Sequence, residues 1–183
     1  SVRDFAPLLL EWYRENKRAL PWRNTTDPYK VWLSEIILQQ TRVSQGLPYY
    51  LRFVEKYPTV KHLANASEQE VLRLWQGLGY YSRARNLHKC AKEIVAAHNA
   101  TFPRSFAELI RLPGIGEYTA AAVASICFKE PVAVVDGNVY RVLARVFGID
   151  TPINSSKAKK DFFVLGNTLI AKDRPDEFNQ AIM

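Results

Sequence analysis

Two acidic side chains lie in settings that favour opposite protonation states. Glu35 falls within Trp32-Leu33-Ser34-Glu35-Ile36-Ile37-Leu38, where helical spacing surrounds it with apolar groups. Burial disfavours an ionised carboxyl, so its pKa should rise and suit a general acid near neutral pH. Asp136 precedes Gly137 at a predicted helix start, whose positive end favours the ionised form. One protonated and one ionised carboxyl can divide acid and electrostatic roles in a reaction.

Each of these residues also has a simpler interpretation. An isolated glutamate at the edge of an apolar helix face usually keeps its carboxyl in water. An aspartate just before a helix is most often an N-cap. The chemical interpretation therefore requires that the fold bring Glu35 and Asp136 together.

A glycine-containing turn, Leu112-Pro113-Gly114-Ile115-Gly116, lies between two predicted helices. Its backbone at Gly114, Ile115 and Gly116, with the N-terminus of the following helix, can bind a phosphate oxygen through N–H groups. Such a contact positions a nucleic-acid backbone without reading sequence. The alternative is an ordinary turn between helices, with the glycines serving only as caps. Asp136 follows 20 residues after Gly116, one helix length away.

A second glycine-containing loop, Gly77-Leu78-Gly79, presents Tyr80 and Tyr81 before a helix that carries Arg83 and Arg85. An aromatic side chain at a loop tip can enter a base stack while arginines hold phosphates. The alternative is that the tyrosines close a core, and for Tyr81 this is the preferred interpretation.

Charge agrees with a polyanionic partner. The chain has 183 residues, 25 Lys plus Arg and 18 Asp plus Glu, a formal net charge of +7. Residues 1–90 carry 14 basic and 8 acidic side chains, or +6, and residues 91–183 carry 11 and 10, or +1. A basic half favours nucleic acid, although such charge also serves solubility. The two cysteines, Cys90 and Cys127, make no metal-binding motif and favour a reducing compartment.

The elements that must position these residues are predicted to be helices throughout. The 48% hydrophobic content is that of a globular protein, and no apolar run approaches the roughly 20 residues of a membrane span. Only residues 132–135 resemble a strand, too short to build a sheet. The predicted helices cover about 4–16, 28–40, 48–57, 68–75, 82–98, 106–110, 117–129, 137–147, 157–172 and 176–183, so the fold is all-α with about ten helices.

Seven segments together carry a resemblance to the helix-hairpin-helix glycosylases of base excision repair, and within them to the adenine DNA glycosylases of the MutY type. They are Leu-Pro-Trp at 20–22, Trp-Leu-Ser-Glu-Ile-Ile-Leu-Gln-Gln-Thr at 32–41, Gly-Leu-Gly-Tyr-Tyr at 77–81, Ala-Arg-Asn-Leu at 84–87, Leu-Pro-Gly-Ile-Gly at 112–116, Val-Asp-Gly-Asn-Val at 135–139 and Phe-Asn-Gln-Ala at 178–181. The resemblance covers essentially the whole chain, and the second and third segments are its most specific parts.

The resemblance implies catalytic roles residue by residue. Glu35 matches the family's proton donor to adenine N7, and Asp136 the carboxylate that stabilises the cationic sugar. Asn138 matches a residue that supports this site. Tyr118 stands where lyase-active relatives carry a Schiff-base lysine, so the enzyme should be monofunctional. N-glycoside cleavage needs one protonated and one ionised carboxyl, which agrees with the settings of Glu35 and Asp136.

The resemblance also implies substrate contacts. Trp22 and Arg23 match the wall of the adenine pocket, where some members have Gln in place of Arg23. Gln40, with Thr41 beside it, and Tyr80 match side chains wedged near the 8-oxoguanine opposite the target. Gln180 matches a pocket residue that is Glu in some members. The expected partner is double-stranded DNA with an A:8-oxoG or A:G mispair, and the protein is expected to be a monomer in a bacterial-type cytoplasm, without membrane association.

The implied architecture is a helix-hairpin-helix glycosylase fold in two parts. Residues 20–135 would form a six-helix barrel with the hairpin near 106–129. Residues 1–19 and 136–183 would form a second helical domain, truncated before its iron–sulfur segment. The chain ends inside an apolar helical stretch, which favours a fragment. Full-length relatives continue into a four-cysteine 4Fe-4S cluster motif and an 8-oxoguanine-reading domain, so this chain should carry no metal or cofactor.

Two other functions remain open at this point. One is an endonuclease III-like glycosylase acting on oxidised pyrimidines, against which Tyr118 in place of lysine argues. The other is a non-catalytic helix-hairpin-helix DNA-binding module, against which the pairing of Glu35 with Asp136 argues.

Overall fold

The computed structural model describes residues 1–183 and is entirely helical, which confirms the predicted fold class. A 3-10 turn spans Pro21–Arg23, and no strand is formed. No helix is long and apolar enough to cross a membrane. The α-helices are α1 (Val2–Asn16), α2 (Pro28–Leu38), α3 (Val43–Lys56), α4 (Val60–Asn65), α5 (Glu68–Trp75), α6 (Tyr81–Ala97), α7 (Phe106–Leu109), α8 (Glu117–Phe128), α9 (Gly137–Phe147), α10 (Ser156–Leu169) and α11 (Pro175–Ile182).

Side-chain caps begin several of these helices. Asp27 accepts the Tyr29 N–H at the start of α2, with Pro28 at the first helical position. Ser67 and Glu70 form a capping box at the start of α5. Ser105 accepts the Glu108 N–H at the start of α7. These caps satisfy N–H groups that have no partner within the helix, which fixes where each helix starts.

The sequence-based boundaries were wrong around α2 to α4. Helix α2 ends at Leu38 rather than Gln40, because Gln39 leaves the helical region with ψ of 117° and Gln40 follows in a left-handed conformation with φ of +55°. Helix α3 begins at Val43 and contains Pro48, which had been predicted to open it. Apolar side chains continue across Pro48 and pack on the core, and this tertiary packing outweighs one missing N–H. Helix α4 was not predicted, although Thr59 caps it.

Two hydrophobic clusters hold the chain together. The larger draws its buried residues from Leu20 to Val134, with Trp32, Trp75 and Phe53 fully buried. The smaller combines Leu10 of α1 with side chains from positions 139–182. Helix α11 packs on α8 in the first group and on α1 in the second, so it joins the two.

The connection between the clusters is an extended segment, residues 132–135, which leads directly into α9. It forms no strand, and two of its N–H groups bond to side chains instead of to a neighbouring strand. The Ala133 N–H donates to Asn167 Oδ1 at 2.8 Å, and the Val134 N–H to Asn179 Oδ1 at 3.0 Å. Asp136 therefore lies at the junction of the two clusters.

Candidate active site

A cavity of about 750 Å³ opens at this junction. Its walls come from α2, the 3-10 turn, the loop before α6, the starts of α8 and α9, and the C-terminal end of α11. A volume of this size is typical of small-molecule and cofactor sites, which range over roughly 300–1,000 Å³. The predicted site residues that line it are Trp22, Arg23, Glu35, Gln40, Thr41, Tyr80, Tyr118, Asp136, Asn138 and Gln180.

Glu35 is buried in this wall, only 6% exposed, rather than at a wet helix edge. Burial raises the pKa of its carboxyl from 4.5 to about 7, and the negative charge of Asp136 adds to the rise. Interaction with the Tyr118 hydroxyl and the positive charge of Arg23 oppose it. Glu35 therefore keeps a transferable proton near neutral pH, as a general acid requires.

Tyr118 lies in the first turn of α8, directly after the hairpin. Burial, followed by the charges of Glu35 and Asp136, raises the pKa of its phenol far above the usual range. The hydroxyl therefore stays protonated and can act as a hydrogen-bond donor between the two carboxyls. A neutral phenol has no amine with which to form a Schiff base.

Asp136 is the N-cap of α9, where its Oδ1 accepts the Val139 N–H at 2.8 Å. Asp136 is thus an N-cap, as the simpler interpretation predicts, and it also lines the cavity. The helix N-terminus stabilises its negative charge. Asn138, two residues on, is exposed and accepts a hydrogen bond from Arg141.

One end of the cavity is formed by Trp22, Arg23 and Gln180. Trp22 is buried, and its ring meets the Tyr50 ring edge-on at 5.1 Å between centroids. Gln180 accepts a hydrogen bond from the Tyr13 hydroxyl at 3.0 Å, which fixes its amide to α1. An aromatic wall beside a fixed amide and a guanidinium suits a flat heteroaromatic ring.

The cavity lining also includes Gln40, Thr41 and Tyr80. Gln40 and Tyr80 both adopt left-handed backbone conformations, with φ of +55° and +47°. Tyr80 is 69% exposed, a large apolar surface at the mouth of a polar cavity. Two non-glycine residues held in this strained region commonly mark a functional site.

The residues after Tyr80 do not behave as the sequence suggested. Tyr81 is 40% exposed and does not close a core. Arg83 Nη1 donates to the carbonyls of Ile36, Ile37 and Gln39 at 3.1, 3.3 and 2.5 Å, while Nε and Nη2 are buried without a hydrogen-bond partner. Arg83 therefore connects the first turn of α6, next to Tyr80, to the C-terminal end of α2. Arg85 is exposed and lies 3.8 Å from Glu68.

The hairpin at 112–116 lies outside the cavity and has the geometry of an anion-binding turn. Gly114 has φ of +73°, and a Cβ there would lie 2.7 Å from Asn86 Cβ. Ile115 is buried, and its N–H donates to the Leu112 carbonyl at 3.2 Å. The N–H groups of Gly114 and Gly116 form no hydrogen bond within the chain and are available to a ligand.

Four polar residues of the cavity wall were not predicted from the sequence: Arg18, Ser34, Gln39 and Ser82. Gln39 Nε2 donates to Thr119 Oγ1 at 3.3 Å, which connects the end of α2 to α8 near Tyr118. Its position next to Gln40 was the available signal. Arg18 adds a second cation to the end of the cavity that Arg23 occupies.

The residues present do not supply the four cysteines of an iron–sulfur cluster. Its two cysteines, Cys90 and Cys127, are both free, and Cys90 is buried. No group of three or more His, Cys, Asp or Glu side chains could hold an ion. A four-thiolate cluster therefore does not fit the residues present, and no step of the chemistry is assigned to one.

Comparison with known proteins gives a consistent result. Residues 33–166 match the HhH-GPD family model, which describes the HhH-GPD superfamily of base excision DNA repair proteins. The chain is 44% identical over 192 residues to the adenine DNA glycosylase of Mus musculus, covering 100% of this chain and 37% of that protein. The chain spans about a third to a half of the length of the curated relatives it matches.

Solved structures show the same fold. A thermostable thymine-DNA glycosylase matches with a TM-score of 0.90 at 29% identity, over 100% of this chain and 84% of that one. A trapped endonuclease III–DNA covalent intermediate matches with a TM-score of 0.79 at 22% identity, over the same shares. The second likeness concerns the fold alone.

Proposed function

Because the chain belongs to the HhH-GPD superfamily of base excision DNA repair proteins, we propose that it is the catalytic region of a monofunctional adenine DNA glycosylase. The reaction is hydrolysis of the N-glycosidic bond of adenine mispaired with 8-oxoguanine or guanine. The observation that carries the proposal is the buried Glu35, with a pKa raised to about 7, in one cavity with Asp136. Similarity to curated adenine DNA glycosylases supports the choice of base.

In the proposed reaction, Glu35 donates its proton to the adenine ring. The bond between the sugar C1′ and the base then breaks, and its electron pair leaves with adenine. The Asp136 carboxylate stabilises the positive charge that develops on the sugar, with Tyr118 and Asn138 beside it. Water then adds to C1′ and loses a proton. Protonating the leaving base and stabilising the cation are the two needs of glycoside cleavage.

Adenine must leave the duplex to reach Glu35. We propose that it rotates into the end of the cavity formed by Trp22, Arg23 and Gln180. Gln40 and Tyr80 would occupy the space beside the unpaired partner base, with Thr41 next to them. Unstacking costs a few kcal/mol, and wedge side chains of this kind offset it. The exposed Tyr80 ring supports this role.

We propose that the hairpin holds the duplex backbone through Gly114 and Gly116, with Ile115 anchoring the turn in the core. In the same proposal, the two hydrophobic clusters correspond to a helical barrel, residues 20–135, and a second domain, residues 1–19 and 136–183. The catalytic cavity would then lie between the domains, and full-length relatives would complete the second domain with a cluster segment.

The test is a panel of duplexes carrying A:8-oxoG, A:G, G:T or thymine glycol, incubated with the full-length protein. Alkali then reveals abasic sites on a denaturing gel. The proposal predicts cleavage after alkali in the two adenine duplexes only. Activity on G:T instead would favour a thymine glycosylase, the activity named for the similar solved structure. Activity on thymine glycol would favour an endonuclease III type, and inactivity with tight binding a binding module.

A further inference from the structure

Asn179 is a fully enclosed polar side chain near the site, and the proposed chemistry leaves it unused. It lies on α11 and has no exposed surface. Its Oδ1 accepts the Val134 N–H at 3.0 Å, and its Nδ2 donates to the Val132 carbonyl at 2.8 Å and to Ser125 Oγ at 2.8 Å. A buried amide is costly unless its polar atoms are paired, and here both are.

Two of these three bonds bind the extended segment that ends at Asp136. The segment has no neighbouring strand, so the Asn179 amide replaces one, accepting and donating as a strand backbone would. Asn167 on α10 accepts a hydrogen bond from the N–H of Ala133, the residue before Val134. Two asparagines on two helices thus determine where residues 132–135 run.

Packing from α10 leaves this segment little freedom to move. A Cβ on Gly166 would lie 2.9 Å from Ala133 Cβ and 3.2 Å from Val135 Cγ2. Contacts this close require that no side chain occupy position 166. The segment is therefore held by hydrogen bonds from Asn179 on one side and by close helix packing on the other.

We infer that Asn179 is a positioning residue for Asp136, acting through its two hydrogen bonds to the 132–135 segment. The inference rests on the proposed function, in which Asp136 stabilises the sugar cation. Only one residue separates the Val134 N–H from Asp136, so a shift of the segment displaces the carboxylate. A displacement of about 1 Å at a reacting centre can reduce a rate by roughly 100-fold.

The test compares Asn179→Leu with Ser125→Ala. Both remove a bond from the same buried network, but Ser125→Ala leaves both bonds to the segment intact. We expect Asn179→Leu to lower single-turnover excision from A:8-oxoG by at least about 10-fold. Duplex binding should be unchanged, and Ser125→Ala should stay within a few-fold of wild type. Unfolding curves recorded in parallel ensure that folded protein is compared.

A pH profile separates positioning from general destabilisation. The groups that face Glu35 are Tyr118 on α8, Asp136 at the start of α9 and Arg23 in the 3-10 turn. Since the Asp136 charge raises the pKa of Glu35, displacing Asp136 should lower that pKa. The alkaline limb of the rate profile should then move to lower pH in Asn179→Leu and not in Ser125→Ala.

Gly166→Ala serves as the second variant if Asn179→Leu does not fold. Its new Cβ displaces the same segment from the side of α10, so it should produce the same loss of rate and the same shift of the alkaline limb of the pH profile. The positioning role alone would be overturned if Asn179→Leu, Gly166→Ala and Ser125→Ala all matched the wild type in rate and in the position of the alkaline limb while Glu35→Gln was inactive. Full activity of Glu35→Gln would instead overturn the proposed function, so the two failures are distinguishable.

Discussion

Glu35 should make the protein less stable as pH rises, and Glu35→Gln should remove this loss. The folded-state pKa is raised from 4.5 to about 7 by burial, so the folded protein holds a proton that the unfolded chain releases. Stability from this proton is fully present below pH 4.5 and is lost as pH rises to 7 and above. The difference of about 2.5 pKa units corresponds to about 3 kcal/mol.

The assay is denaturant unfolding of the wild type and Glu35→Gln at half-unit steps from pH 4.5 to 8.5. The free energy of unfolding of Glu35→Gln minus that of the wild type should increase by about 3 kcal/mol across this range, mostly between pH 5 and 7. Glu55→Gln, at an exposed site on α3, serves as the matched control. A difference that stays constant with pH would show that the Glu35 carboxyl is solvated, and the argument for a general acid would fail.

Three further outcomes are expected. Tyr118→Lys should gain strand cleavage without alkali and be trapped on DNA by borohydride. Residue 118 lies beside Asp136 at a helix N-terminus, which lowers the pKa of a lysine. Absence of a trapped adduct would mean that residue 118 lies away from the sugar. Duplex affinity should fall with salt, the slope of log K against log salt being about −3 to −5 for about 3 to 5 neutralised phosphates; a flat dependence would favour a protein partner. Gly114→Ala should weaken duplex binding and cost about 1–2 kcal/mol of stability, since φ is +73° and the new Cβ meets Asn86; unchanged binding in a filter assay would remove the hairpin from the interface.

Much of the fold could be predicted because its helices begin at strong local signals. The boundary of α9 at Gly137–Phe147 agrees with the prediction from sequence, since Asp136 caps it and Gly148 ends it. The errors fall where tertiary contacts decide. The continuation of α3 across Pro48 depends on core packing, and the left-handed turn at Gln40 depends on Arg83, which binds the last carbonyls of α2 from 44 residues away in sequence.

The site was predictable in its residues but not in its supports. Glu35 stood out because a carboxyl at an apolar helical position is unusual, and Asp136 and Tyr80 stood out from their places before helices. Motif resemblance identified the remaining site residues. The roles of Asn179 and Arg83 could not be read in the same way, because each depends on backbone groups far along the chain. A buried side chain that satisfies backbone N–H or carbonyl groups leaves no periodic pattern in a sequence.

The central claim is that a protonated Glu35 drives adenine excision, and the pH dependence of single-turnover excision from an A:8-oxoG duplex tests it most directly. The rate should be constant below an apparent pKa near 7 and fall about tenfold per pH unit above it. In Glu35→Gln the rate should be at least about 100-fold below that of the wild type on the plateau at low pH, with duplex binding retained. Two results would contradict the account: an excision rate that begins to fall near pH 4.5, or a Glu35→Gln rate within a few-fold of wild type on the plateau at low pH.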